Sequence, residues 1–136
     1  MILDCLIAIL DLMPTLKKLN NKGKRLPSFV SRQVITSKRY FVDLLPDQTR
    51  ALSVACGGYE QVSKDYVISR TDFPYFCIEY VCAGSGRVWL GKGATYARME
   101  DALPLHKGTL FAYGPGVPHR IETNSSQTLR KYYVDF

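Results

Sequence analysis

Short runs of β-favouring residues, each ended by turn-forming residues, dominate the chain from about residue 40 onward. The interruptions are rich in Gly, Pro, Asn and Ser, as in GSG at residues 84–86 and GPG at residues 114–116. Strands at such regular spacing predict an antiparallel β-sandwich or barrel. No segment of this region repeats every 3.6 residues as an amphipathic helix does, so we predict an all-β domain. The predicted strands are residues 40–44, 51–56, 65–69, 75–82, 86–91, 94–98, 109–113, 118–123 and 128–136.

The N-terminal region follows a different pattern. Residues 2–13 form the one strongly apolar stretch, in which the leucines follow helical spacing before Pro14. The stretch is too short to span a bilayer, so we expect a short amphipathic helix that packs on the domain or on a partner subunit. A natural start further downstream is the alternative interpretation. The predicted division is a basic N-terminal arm with this helix, residues 1–39, followed by a β domain, residues 40–136.

The net charge of +6 is confined to the arm. Residues 1–39 contain eight basic and two acidic side chains, whereas residues 40–136 contain ten of each. A nucleic-acid-binding surface needs clustered Lys and Arg to displace counterions from phosphate, and the β domain has no such excess. The usual DNA-reading motifs also place a helix in a groove, and no such helix is predicted. We therefore expect the basic run at residues 17–25 to be solvated rather than bound to DNA or a membrane.

The four cysteines, Cys5, Cys56, Cys77 and Cys82, show no CxxC spacing. We expect them to be reduced thiols in a cytoplasmic protein, since disulfides are rare in that compartment. Cys77 and Cys82 lie five residues apart in one predicted strand, which puts their side chains on opposite faces of the sheet.

Residues 108–119, with the sequence GTLFAYGPGVPH, resemble the second cupin motif. Gly108, Gly116 and His119 keep the expected spacing, and the motif's proline is displaced by one position to Pro115. Gly and Pro form a tight corner between two strands in such a motif, and the histidine that begins the second strand points into the barrel. The resemblance implies a cupin-type barrel, the double-stranded β-helix or jelly roll.

The first cupin motif is only half present. Glu79 and Gly86 keep its spacing, but its two histidine positions fall on Phe73 and Tyr75. Of the four metal ligands that the resemblance implies, Glu79 and His119 remain. Stable metal sites use three or four protein ligands, so we expect no bound metal and no cofactor. A small stand-alone metal-dependent cupin enzyme, an isomerase or a dioxygenase, is the main alternative function.

Residues 41–136 are similar to the N-terminal domains of AraC-type transcription regulators. The shared features are an aromatic-rich strand pair that closes on the GSG turn, the FAYGPGVPH corner and a last aromatic strand, KYYVDF. In that family the barrel binds a sugar or similar small-molecule effector, a helical element dimerises, and a separate helix-turn-helix domain binds DNA. The resemblance implies a homodimeric effector sensor rather than an enzyme, which reaches DNA only through a missing C-terminal domain. It also implies an arm, here residues 20–39, that folds over the effector.

The inward positions of the two cupin motifs are candidate effector contacts. His119 is interpreted as an effector contact or as a structural histidine, with a metal ligand as the third alternative. Glu79 would be costly as an isolated buried charge, so it needs either a ligand hydroxyl or a buried cation as a partner. The candidate cations are Arg70, Arg87 and Arg120.

The last strand adds further candidates by resemblance. Its alternate residues Lys131 and Tyr133 would line the effector pocket, and Arg70 corresponds to an arginine before the GSG hairpin. The short turn at residues 124–127 predicts that the strand of Tyr133 pairs directly with that of His119. We expect a polar, aromatic-lined cavity inside the barrel, suited to the hydroxyls and the C–H face of a sugar. The candidate ligand-binding residues are His119, Tyr133, Glu79, Tyr113, Lys131 and Arg70.

Overall fold

The computed structural model describes residues 29–45, 49 and 52–136. The predicted apolar helix at residues 2–13 and the basic run at residues 17–25 lie outside the described residues. Within the described part, no helix is long and apolar enough to cross a membrane. The elements are β1 Val34–Phe41, β2 Cys56–Val62, β3 Val67–Arg70, β4 Cys77–Ala83, β5 Ser85–Leu90, helix α1 Lys92–Tyr96, a 3₁₀ turn Met99–Asp101, β6 Leu103–His106, β7 Leu110–Tyr113, β8 His119–Thr123 and β9 Arg130–Asp135.

Two antiparallel sheets pack against each other across a shared core. One has the strand order β1-β2-β9-β4-β7, and the other has the order β3-β8-β5-β6. Successive side chains of a strand point to opposite faces. In β4, therefore, Cys77, Glu79 and Val81 are buried, whereas Tyr80 and Cys82 on the other face are partly exposed. The predicted all-β barrel is confirmed, and so is the placement of Cys77 and Cys82 on opposite faces.

The core contains two apolar clusters with charged side chains in contact with both. The first cluster includes Tyr66, whose ring lies 5.6 Å from the ammonium of Lys131. The second includes Tyr113, whose hydroxyl donates a hydrogen bond to Glu79. Apolar side chains alone therefore do not fill this barrel. The first cluster is Val62, Tyr66, Ile68, Val81, Val88, Leu105, Ile121 and Leu129, and the second is Ala55, Phe73, Tyr75, Cys77 and Tyr113.

One predicted strand is a helix. Residues 94–98 were expected to form a strand, but α1 occupies this segment, and the N–H of Ala97 donates to the carbonyl of Gly93 at 2.9 Å. The segment connects β5 to β6, and these two strands pair with each other rather than with it. β-favouring residues such as Tyr96 form a strand only when a neighbouring strand is present to pair with them, so the prediction here is wrong. Strand β6 itself was not predicted.

The first two strands lie in other positions than predicted. The strand expected at residues 40–44 is β1, which begins inside the segment assigned to the arm. The strand expected at residues 51–56 is β2, which begins at Cys56 and contains two glycines, Gly57 and Gly58. A Cβ at Gly58 would lie 2.2 Å from the carbonyl oxygen of Lys38 on β1. The glycine is therefore needed for the close approach of two strands and does not mark a turn.

β8 and β9 do not pair, although a short loop connects them. β8 pairs with β3 and β5, whereas β9 pairs with β2 and β4 in the other sheet. The prediction that the strand of Tyr133 pairs directly with that of His119 is therefore wrong. An isolated bridge joins Asn124 to Gln127 where the chain leaves the sheet that contains β8. Leu129, which follows, is fully buried in the core. Burial of this side chain carries the chain into the opposite sheet, which the length of the turn does not reveal.

Candidate ligand-binding cavity

Four charged side chains from four strands meet inside the barrel. The ammonium of Lys131 lies 2.6 Å from Glu79 Oε2 and 3.6 Å from Glu60 Oε2. Arg39 donates from Nε and Nη2 to Glu60 Oε1 at 3.0 and 2.8 Å, and the Tyr113 hydroxyl donates to Glu79 Oε1 at 2.8 Å. The charged side chains are at most 10% exposed. Two buried carboxylates are thus balanced by two buried cations.

Lys131 keeps its positive charge despite its burial. Desolvation alone would lower the pKa of its ammonium, but nearby acidic groups, Glu79 first among them, hold that pKa well above its usual value. The ammonium also lies 5.6 Å from the ring centroids of Tyr66 and Tyr133, a distance at which a cation and an aromatic face attract. Desolvation raises the pKa of Tyr66 to about 12. The Tyr66 hydroxyl is therefore a neutral group beside a fixed positive charge.

A second polar cluster lies at the end of β9. Asp135 is in register with Cys56 on β2 and with Cys77 on β4, and the Cys56 thiol donates to Asp135 Oδ2 at 3.1 Å. Desolvation raises the pKa of the Asp135 carboxyl and of both thiols. Asp135 Oδ1 is buried and has no hydrogen-bond partner among the described residues. Buried polar atoms are almost always paired, so this atom is a candidate contact for a ligand.

His119 is fully buried at the start of β8. Its Nδ1 lies 3.0 Å from the carbonyl oxygen of Val117, so Nδ1 carries the proton and Nε2 is an acceptor. Nε2 has no partner in the part of the chain that the structure describes. Desolvation lowers the pKa of His119 from its usual value near 6.5, which favours the neutral ring. The ring stacks on Tyr113 at 4.0 Å and meets the Phe73 ring edge-on at 5.7 Å.

Residues 29–31, named here the arm segment, lie against the interior of the barrel. Arg70 donates from Nη2 to the carbonyl oxygen of Phe29, and Arg39 donates from Nη2 to that of Ser31 at 2.8 Å. The Phe29 ring meets Phe73 edge-on at 6.0 Å and Tyr75 at 5.5 Å. The arm segment therefore gives two backbone acceptors to arginines and one ring to an aromatic cluster.

These groups surround a cavity of about 40 Å³ between the sheets. Five of the six candidate residues line it, and they are Tyr133, Glu79, Tyr113, Lys131 and Arg70. His119 is not among the lining residues and instead supports Tyr113 by stacking. The sequence missed Glu60, Tyr66 and Asp135, which also line the cavity. Asp135 follows the alternation of Lys131 and Tyr133 along β9 and could have been found from that signal. The full lining is Phe29, Val30, Ser31, Glu60, Tyr66, Arg70, Phe73, Cys77, Glu79, Tyr113, Ile121, Lys131, Tyr133 and Asp135.

The buried cation that neutralises Glu79 is a lysine. The three arginines proposed as its partner make other contacts: Arg120 binds Glu122 with its Nε at 2.7 Å from Oε1, Arg87 is exposed, and Arg70 binds the arm segment. Arg87 and Arg120 alternate with inward residues of β5 and β8, so they project from the other face of their sheet. This part of the prediction is wrong.

The two cupin metal positions that lack histidine are filled by aromatic rings. Phe73 and Tyr75 are buried and pack against each other at 5.8 Å. Among the described residues, no group of three or more His, Cys, Asp or Glu side chains is arranged to hold a metal ion. The polar groups that surround the cavity are instead hydroxyl, carboxyl, ammonium and guanidinium groups, which suit hydrogen bonding to an organic molecule.

The sequence and the fold were compared with known proteins. A model of the AraC-like ligand binding domain matches residues 55–136, and no curated protein matches the chain. A solved structure of the plu4264 protein from Photorhabdus luminescens is similar, with 14% identity, 85% of this chain and 88% of that chain covered, and a TM-score of 0.54.

Two further solved structures are similar. A Cupin 2 conserved barrel domain protein from Salinispora arenicola has 15% identity, coverage of 83% of this chain and 86% of that chain, and a TM-score of 0.51. A predicted oxalate decarboxylase from Thermotoga maritima has 15% identity, coverage of 72% of this chain and 79% of that chain, and a TM-score of 0.50. At such identities the likeness shows the fold alone, and it confirms the predicted cupin-type barrel.

Proposed function

The chain belongs to the family of AraC-like ligand binding domains, and we propose that it senses a small organic effector in its interior cavity to control transcription. The family resemblance implies that a homodimer transmits the signal and that a separate helix-turn-helix domain binds DNA. Allosteric coupling of this kind typically involves about 1–3 kcal/mol. A rearrangement of the arm segment on effector binding is of a size to supply such an energy, because it changes a few hydrogen bonds and ring contacts.

The observation that carries the proposal is the buried charge network around the cavity. Glu79, Lys131 and Glu60 form ion pairs deep inside a small barrel. Replacing buried ion pairs by apolar residues of similar volume is often neutral or stabilising, so stability does not explain why this interior is charged. A ligand that uses these fixed donors and acceptors does explain it. Asp135 Oδ1 adds a buried acceptor that has no hydrogen-bond partner among the described residues.

We assign roles to the candidate residues on the basis of their positions. Arg70, Tyr133 and Asp135 line the cavity and are proposed to contact the effector directly. Glu79, Tyr113 and Lys131 form one hydrogen-bonded unit and are proposed to orient polar groups of the effector. His119 is proposed to hold the Tyr113 ring in place. The sugar implied by the family resemblance is one candidate effector.

Binding is favoured over metal-dependent catalysis because of the residues at the first cupin motif. Phe73 and Tyr75 cannot supply the imidazole nitrogens that a cupin metal needs, and they are packed with Phe29. The similarity to a predicted oxalate decarboxylase concerns the fold and carries no argument about chemistry. Elemental analysis of the purified protein tests this choice, since one equivalent of zinc, iron or manganese would favour the enzyme.

Calorimetric titration of the full chain with a panel of neutral sugars, carboxylic acids and amines tests the proposal. At least one compound should bind with one-to-one stoichiometry. Tyr133→Phe should weaken that binding by up to about tenfold, because one hydrogen bond is lost. Tyr132→Phe is the matched control, since Tyr132 is the next residue of β9 and stacks on Tyr59 at 5.2 Å, away from the cavity lining. Equal affinities for the wild type and Tyr133→Phe would contradict the assigned site.

A further inference from the structure

Arg70 lines the cavity and, unlike the neighbouring cations Lys131 and Arg39, has no carboxylate partner within the part of the chain that the structure describes. Lys131 forms an ion pair with Glu79, and Arg39 forms one with Glu60. No ion pair of Arg70 is found among the described residues. Its guanidinium lies 5.3 Å from the Phe73 ring centroid, and its Nη2 donates to a neutral carbonyl. A guanidinium presents a planar fork of donors that matches both oxygens of a carboxylate. Among the described residues, the Phe29 carbonyl is the one hydrogen-bond acceptor of this fork, so its other donors can meet a carboxylate.

An aromatic site lies next to Arg70. Phe73 and Tyr75 meet edge-on at 5.8 Å, and the Phe29 ring makes edge contacts with both. Such edge-to-face contacts stabilise aromatic pairs beyond the effect of burying the rings. The ring of Phe29 thus packs against Phe73 and Tyr75, and the carbonyl oxygen of Phe29 accepts a hydrogen bond from Arg70. One residue of the arm segment combines an aromatic ring and an oxygen acceptor at two adjacent positions.

The free space is too small for an organic effector while the arm segment is in place. A cavity of about 40 Å³ is far smaller than the roughly 300–1,000 Å³ of pockets that hold small organic ligands. Something must therefore leave before an effector can enter. The strands are fixed by their ladders, whereas the arm segment precedes β1 and lies outside every strand. Its side chains and carbonyl groups can therefore be displaced without opening a sheet.

We infer that the effector is an aromatic carboxylate that replaces Phe29, with its ring against Phe73 and Tyr75 and its carboxylate on Arg70. The docked arm segment and the bound effector then exclude each other. The inference rests on the proposed function, because it takes the cavity as the effector site. It differs from the sugar that the family resemblance implies, and from an arm that closes over a bound effector.

The two arrangements of the arm predict opposite effects of one substitution. If Phe29 competes with the effector, the binding-competent fraction of the protein is small, and the apparent dissociation constant is raised by that fraction. Phe29→Ala should then tighten binding. If the arm instead closes over the effector, Phe29→Ala removes a contact and weakens binding. The sign of the change therefore separates competition from closure.

The experiment is calorimetric titration of the full chain with phenylacetate and 3-phenylpropanoate, each compared with its neutral amide. At least one acid should bind, and its amide should bind about tenfold more weakly or worse, because a charge-assisted hydrogen bond is lost. Arg70→Met should weaken binding of the acid by about tenfold or more. Phe29→Ala should tighten it by about threefold or more. The matched controls are Arg87→Met and Phe76→Ala, which change an exposed arginine and an exposed phenylalanine and should leave the affinity unchanged.

Several results would overturn the inference. Equal affinities for the acid and its amide would show that Arg70 does not recognise a carboxylate. Weaker binding by the Phe29→Ala variant would show that the arm segment closes over the effector. Binding of a neutral aldopentose without binding of either acid would overturn the inference but leave the proposed function standing, whereas a panel in which nothing binds would end both. Should either variant fail to fold, Arg70→Lys and Phe29→Leu replace it. The lysine should still weaken binding because it lacks the planar fork, and the leucine should still tighten it because the edge-to-face contacts are lost.

Discussion

Replacing Lys131 with Met removes the cation that lies between two buried carboxylates. Glu60 keeps its two hydrogen bonds from Arg39, whereas within the described part of the chain Glu79 keeps the bond from the Tyr113 hydroxyl at 2.8 Å and a long contact from the Cys77 thiol at 4.0 Å. The Glu79 side chain is 3% exposed, so bulk solvent does not replace the lost ammonium. Met is unbranched like Lys and fills a similar space, so the loss of packing is small. The cost of the substitution is therefore mainly electrostatic.

Removing one partner of a buried ion pair costs about 3–5 kcal/mol. Domains of this size have a total stability of about 5–15 kcal/mol, so the variant should lose a large part of it. The melting temperature should fall by roughly 10–20 °C. The double variant Lys131→Met/Glu79→Gln removes the stranded charge and keeps an oxygen that accepts from Tyr113. It should recover about 2 kcal/mol or more of the loss.

Urea unfolding followed by the fluorescence of Trp89 is the assay. Trp89 is the single tryptophan, is 1% exposed, and donates from its indole N–H to the Arg98 carbonyl at 2.8 Å. Unfolding therefore moves it from the core to water, and its signal reports the whole domain. Lys107→Met is the matched control because Lys107 is exposed, and surface substitutions usually change stability by less than about 0.5 kcal/mol.

Two results would refute this reasoning. A loss of less than about 1 kcal/mol for Lys131→Met would mean that the pair is solvated or replaced by another contact. A double variant no more stable than the single one would mean that the unpaired Glu79 carboxylate is not the source of the cost. Either result would also weaken the proposal that the charged interior is kept for a ligand.

Two other perturbations test the titratable groups of the interior. Burial lowers the pKa of His119 from about 6.5, so below that pH the unfolded chain binds a proton that the folded chain does not. The free energy of unfolding should therefore fall as the pH drops below about 6.5, by up to roughly 1.4 kcal/mol per pH unit. His119→Gln should remove this slope and His106→Gln, at an exposed position, should retain it; identical slopes in all three proteins would contradict the assignment. Burial raises the pKa of the Cys56 and Cys77 thiols, so iodoacetamide at pH 8 should modify them only after unfolding. Mass spectrometry of the labelled peptides checks this, and rapid labelling of Cys77 in the folded protein would count against it.

The sequence predicts which residues of a single strand share one face of the sheet. Alternation along β4 buries Glu79 and Cys77. Alternation along the last strand groups Lys131, Tyr133 and Asp135 on one face, but that strand has plausible core residues on both faces, so the structure alone shows that this face is the inward one. The cupin spacing put His119 at the start of an inward-facing strand, where it is fully buried. These features depend only on the period of two residues that a strand imposes, which a local pattern records.

The contacts between strands were decided by the tertiary structure. Arg39, Glu60 and Lys131 lie far apart in the chain and meet because β1, β2 and β9 are neighbours in one sheet. A period of two says which residues share a face but not which strands pair, and the short turn before β9 suggested a pairing that the burial of Leu129 prevents. The partner of Glu79 and the docking of Phe29 are long-range consequences of that pairing. Only the folded chain brings these groups close enough for their charges and rings to interact.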